Sequence, residues 1–119
     1  MSEVRNFSAG GNNYTIIAPK PIVNHGTADT GTSSAPFALT QDAKHVWGEV
    51  SALYLSLAAG IANYMAEYYF QFDSGSTPTT LVLPSSVKWA GNVQPTIAAN
   101  MRYQIDIEGG IANVSFASL

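Results

Sequence analysis

Apolar and polar positions alternate with period two over much of this chain. Leu53, Leu55 and Leu57 share one side of Val50–Leu57, with Ala52, Tyr54 and Ser56 on the other. Tyr68, Phe70 and Phe72 do the same within Glu67–Asp73, and Tyr103, Ile105 and Ile107 within Arg102–Glu108. Such alternation marks strands with one face in a core and one in solvent. Shorter strands are predicted at Tyr14–Ala18, His45–Gly48, Leu81–Leu83 and Val87–Trp89, and Phe37–Leu39 begins another. Ala and Leu favour helices, so a helix over Val46–Met65 competes. The strict alternation of the three leucines and the glycines at either end favour strand.

The breaks between these runs are clusters of Gly, Pro, Ser and Asn. Pro19 and Pro21 end the first strand and Pro84 stops Leu81–Leu83, because proline cannot donate to a ladder. Gly109-Gly110 supplies the positive φ angles of a two-residue hairpin between Arg102–Glu108 and Ile111–Phe116. On the return strand Ala112, Val114 and Phe116 share a face, or Ile111 caps the turn. Residues 1–13, with Gly10-Gly11, have no periodicity and read as an arm that is disordered or ordered by a partner. Val23–Pro36 has hardly an apolar side chain and reads as a long loop. The sum is an all-β domain over residues 14–119, preceded by an irregular N-terminal arm. About eight short strands at spacings of roughly 8–12 residues predict a small antiparallel β-sandwich or jelly-roll-like barrel.

Composition changes the picture in one respect. Charged residues are 11% of the chain, less than half of the ~25% usual in globular domains. Ser, Thr, Asn, Gly and Ala stand in their place, so the surface carries little charge to repel a neighbour. So few blunting charges leave sheet edges open to pairing, which symmetric assembly would relieve. A net charge of −3 argues against a nucleic-acid partner, which wants a basic face. With no cysteine, disulfides, thiol nucleophiles and Cys-based zinc sites are excluded. No apolar run reaches the ~18 residues of a membrane span and the first residues lack a signal-peptide core. We therefore expect a soluble protein made in a cytoplasm, with no membrane insertion.

The run Phe70-Gln71-Phe72-Asp73-Ser74-Gly75-Ser76-Thr77-Pro78-Thr79-Thr80-Leu81-Val82-Leu83-Pro84-Ser85-Ser86-Val87-Lys88-Trp89 resembles a segment of tailed-bacteriophage virion proteins. There it is followed by a Pro-Thr segment and a Tyr-x-Ile-x-Ile strand, as here in Pro95-Thr96 and Tyr103–Ile107. The resemblance reaches from Lys44 to Phe116 and leaves the earlier residues uncovered. It implies a small β-domain of a head-fibre, tail-fibre or capsid-decoration protein in the virion. Such domains are non-enzymatic and usually trimeric, with a capsid or tail protein as partner and a bacterial surface glycan as a second candidate.

Candidate chemistry is sparse. Asp29-Thr30-Gly31-Thr32 matches the active-site turn of aspartic proteases, where two such carboxylates share a proton. Thr27 and Ala28 stand where those enzymes carry bulky apolar residues, so a polar loop is the simpler reading. His25, Asp29 and Ser33 or Ser34 contain the types of a hydrolase triad, which recur in any polar loop. His25 and His45 lack metal-ligand spacing, and no metal or cofactor is expected. Trp47, Trp89, Tyr54, Tyr64, Tyr68, Tyr69 and Tyr103 could stack on sugar rings. Trp89, Tyr68 and Tyr103 fall on the core phase of their strands. Tyr54 and Tyr69 fall on the opposite phase and are the candidates for partner binding. Asp73, Asp106 and Glu108 alternate outward as solvated charges.

Overall fold

A computed structural model describes the backbone of residues 2–9 and 12–119 and the side chains from Lys20 onward. The described residues include eleven strands: β1 (Ser2–Ala9), β2 (Asn12–Pro19), β3 (Ile22–Gly26), β4 (Phe37–Leu39), β5 (Lys44–Glu49), β6 (Ala52–Leu57), β7 (Glu67–Asp73), β8 (Thr80–Val82), β9 (Lys88–Trp89), β10 (Met101–Glu108) and β11 (Ile111–Ser118). The one helical element described is a short 3-10 turn at Ala90–Asn92.

They form three sheets: a β1-β2 pair, a six-stranded sheet in the order β3-β5-β7-β10-β11-β9, and a three-stranded sheet in the order β4-β6-β8. From β3 to β8 the chain alternates between the two larger sheets. β3, β5 and β7 pair in parallel in one, and β4, β6 and β8 in the other. The chain therefore winds as a short coil of three turns, β3–β4, β5–β6 and β7–β8, as β-helices do. β10 then reverses against β7, and β11 returns beside it through Gly109-Gly110, both with positive φ.

One core fills the space between these two sheets. Leu39, Leu53 and Leu55 come from the smaller sheet, and Trp47, Phe70, Phe72, Tyr103, Ile105, Ile107 and Ala112 from the larger. Each of the leucine, isoleucine and phenylalanine side chains contributes roughly 1.5–3 kcal/mol by leaving water. The alternation read from the sequence is the alternation of burial: β7 buries Tyr68, Phe70 and Phe72, and β10 buries Tyr103, Ile105 and Ile107. Phe116 shares their face but is 64% exposed, because nothing described covers that corner beyond the ring of Tyr103 at 6.0 Å.

The all-β expectation holds, while the pairing differs from an antiparallel sandwich or barrel of about eight strands. Five of the eight strand pairings are parallel. Parallel neighbours need long crossovers, and here the crossovers are the strands of the opposite sheet with their flanking loops. Two further expectations are corrected. Ile22–Gly26, mostly within the presumed loop Val23–Pro36, is β3, because a parallel neighbour, β5, takes up its main-chain groups. Within the presumed irregular arm, Ser2–Ala9 pairs with Asn12–Pro19 as an antiparallel hairpin whose last paired residues are Ala9 and Asn12. Main-chain pairing needs no side-chain periodicity, which is why the pattern missed it. Met1, Gly10 and Gly11 of that arm lie outside the described residues.

Candidate functional site

The two larger sheets present opposite kinds of outer face. On the six-stranded sheet, the residues that alternate outward include Lys44, Glu67, Tyr69, Asp73, Arg102, Asp106 and Glu108. On the three-stranded sheet they are Ala38 of β4, Ala52, Tyr54 and Ser56 of β6, and Thr80 and Val82 of β8. None of these six is charged. Register sets Tyr54 beside Val82, Ala52 beside Thr80 and Ala38 beside Ser56. The result is a neutral patch of mostly small side chains with one half-buried aromatic ring and a half-exposed valine.

That face is unusual for its sheet type. All-parallel sheets occur almost only with both faces covered. Here one face lies on the core and the other carries neutral side chains, exposed on β4 and β8 and half-buried on β6. Its strand is firmly placed. The Tyr54 N–H donates to the Thr30 carbonyl at 2.9 Å and the Thr80 N–H to Ser51 at 3.0 Å. The buried Thr79 hydroxyl donates to the Val50 carbonyl at 2.6 Å.

Tyr69 sits in a different setting. It lines a groove of about 510 Å³ with Lys20, Lys44, Gln104, Asp106 and Asn113. Its hydroxyl donates to the Glu67 carboxylate, and Lys20 Nζ stands 5.9 Å from its ring centre. The bond to Glu67, with burial and nearby Asp106 and Glu108, pushes the phenol well above its ordinary range. Lys20 also reaches Asp42 at 3.3 Å and Glu67 at 3.7 Å. Burial, then the charges of Glu67 and Glu108, push the Asp106 carboxyl up, and its buried Oδ1 has no hydrogen-bond partner. Asp106 is thus no simple solvated charge. Asp73 is not one either, since Arg102 binds both its oxygens at 2.8 and 3.0 Å. Glu67, buried on this face, gave no sequence signal beyond its outward phase.

The Asp29 motif falls in a turn with Asp29 at φ 57° and Gly31 at φ 69°. Asp29 meets an imidazole: His25 Nδ1 lies 2.9 Å from its carboxylate. Ser33 and Ser34 are exposed and are not part of that contact, and Ser34 instead meets Thr32. The other nitrogen of His25 is taken by His45 at 2.8 Å, so the serine position of a triad is filled by a second histidine. Only folding reveals this, since the two histidines are twenty residues apart. Trp47 is buried and donates to the Ala28 carbonyl at 2.7 Å. Tyr68 and Tyr103 are buried, Trp89 is partly so, and Tyr64 projects from an exposed segment with Ile61 and Met65. Among the described residues no three His, Asp or Glu side chains gather closely enough to hold a metal ion, and no helix is long and apolar enough to cross a membrane.

Comparison with protein-family models, with curated proteins and with solved structures finds no match to this chain.

Proposed function

We propose that this chain is a non-enzymatic structural protein of a bacteriophage particle, of the head-fibre, tail-fibre or capsid-decoration type, working as a homotrimer. The observation that carries the reading is the uncharged, partly exposed outer face of the parallel sheet around Tyr54. A face of Ala38, Ala52, Tyr54, Ser56, Thr80 and Val82 costs little to desolvate and holds one aromatic to seat among small neighbours. A second copy supplies the cover such a sheet needs, and three copies close the arrangement about an axis. The resemblance of Phe70–Trp89 to virion proteins supports the setting and the threefold state. Attachment to the capsid or tail falls to the N-terminal hairpin, whose two strands form a sheet of their own among the described residues. Mass spectrometry of purified particles tests the setting: the chain is expected in stoichiometric amount, and its absence there would retire the reading.

The Tyr69 groove favours a second reading, a module that binds a bacterial surface glycan. Gln104, Asn113 and Asp106 would hydrogen-bond hydroxyls beside the aromatic ring. Binding to a glycan array that is lost in Tyr69→Ala and kept in Tyr54→Ala would favour it.

A further inference from the structure

A chain of hydrogen bonds between β3 and β5 closes the first turn of the coil and belongs to neither reading above. Asp29 accepts from His25 Nδ1, and His25 Nε2 meets His45 Nδ1. His45 Nε2 lies 3.2 Å from the main-chain nitrogen of Thr40 and 2.9 Å from its hydroxyl. Trp47 stacks on His25 at 4.5 Å, and Phe37 meets the same ring edge-on at 4.9 Å. Both imidazoles are nearly sealed from solvent.

The Thr40 N–H can only donate, so His45 Nε2 bears no hydrogen. The His45 hydrogen is then on Nδ1 and donates to His25 Nε2. The His25 hydrogen is on Nδ1 and donates to Asp29. Every proton has one place, and both rings are neutral. The Nε2 lone pair that would activate the Thr40 hydroxyl is already engaged by the main chain, so the array is not a nucleophile with its base.

One added proton breaks this order. On His25 Nε2 it drives the His45 hydrogen round to Nε2, against the Thr40 N–H. On His45 Nε2 it does so directly. Among the described residues, Asp29 is the one carboxylate facing the pair. β4 presents Phe37 and Leu39, β5 presents Trp47, and β6 presents Leu53 and Leu55. Lys44 lies on the opposite face of β5, Glu49 packs at Gly75, and Lys20 and Asp42 bind each other. We propose that Asp29, His25, His45 and Thr40 form an acid-released latch that holds β3 and the loop Thr27–Pro36 against β5. Acidification opens that turn while β10 and β11 stay paired. Release frees Trp47 from Ala28 and uncovers the edge of β5, a strand edge able to pair with another chain.

Burial, then repulsion from His25 whenever that ring carries a proton, hold His45 below its ordinary value of 6.5. A base whose folded value is depressed stabilises above its unfolded value and loses that contribution as pH falls through the folded one. The latch is therefore shut at neutral pH. Amide hydrogen exchange of the full chain at about pH 7.5 and about pH 5, corrected for intrinsic rates, tests it. The Thr40 and Tyr54 amides should exchange about tenfold faster, or more, at the lower pH, with Ile105 and Val114 unchanged. His45→Gln should abolish the pH step. Equal protection at both pH values, or loosening of all strands together, would overturn the proposal. Should His45→Gln not fold, ring nitrogen NMR of the unaltered chain decides: a hydrogen on His45 Nε2 at about pH 7.5 contradicts the latch.

Discussion

Gly31 lies so close against Tyr54 that no side chain fits between them. A β-carbon there would strike the Tyr54 carbonyl oxygen and stand 2.6 Å from the main-chain nitrogen of Phe37. The residue also has φ +69°. The loop that carries Asp29 is thus pressed onto the strand that carries the candidate interface. Gly31→Ala combines left-handed strain with a backbone collision and should cost about 3 kcal/mol, read from urea midpoints. Gly91→Ala is the control. Its φ is +70° but open space surrounds it, so about 1 kcal/mol is expected. Equal losses would contradict the packing described.

Phe72 and Phe116 lie on one face of the same sheet but differ in burial. Phe72→Ala should cost about 3–5 kcal/mol, the loss of a filled site between the sheets. Phe116→Ser should cost well under that, since its ring is already wet. Thermal or chemical unfolding of the two variants separates them.

Asp106 is held on a sheet face beside Glu67 and Glu108 with one oxygen buried and unpartnered. A carboxyl pushed up in the fold opposes folding once it ionises, so the cost is present above its ordinary range and vanishes at low pH. Asp106→Asn should therefore be neutral or stabilising near pH 7, by at most about 1 kcal/mol after solvent screening. That gain should fade as pH falls through the carboxylate range. A variant markedly less stable at every pH would contradict this.

The Tyr69 phenol is pushed up chiefly by its bond to Glu67. A phenol raised in the fold stabilises below its unfolded value, ~10, and that contribution is lost as pH rises through the folded one. In alkaline spectrophotometric titration Tyr69→Phe should remove a step above the ordinary phenol range. Loss of a step within the ordinary range instead would contradict the bond.

Much of this was legible in the sequence because burial follows a two-residue period. Tyr68, Phe70 and Phe72, or Tyr103, Ile105 and Ile107, announce their strands and inner faces directly. The pairing was less legible. Alternation says that a residue faces inward and not which strand lies beside it, so the parallel β3-β5-β7 and β4-β6-β8 pairings were hidden. β3 escaped because His25 and Asn24 look like loop residues until His45 and Trp47 stack on the first and Val46 pairs with the second. The neutral patch was half visible. Tyr54 stood out by its phase, but Ala38, Thr80 and Val82 became its companions only through strand register.

The measurement closest to the central claim is the solution mass by multi-angle light scattering, at micromolar concentration, of the full chain and of Tyr54→Glu. Setting a carboxylate among Ala38, Ala52 and Val82 should cost several kcal/mol if that face is buried between copies, and little if it is open to water. The account predicts about three times 12.6 kDa for the unaltered chain and a folded monomer for Tyr54→Glu, with Tyr69→Glu remaining a trimer. A stable monomer for the unaltered chain, or a trimer that tolerates Tyr54→Glu, would contradict it.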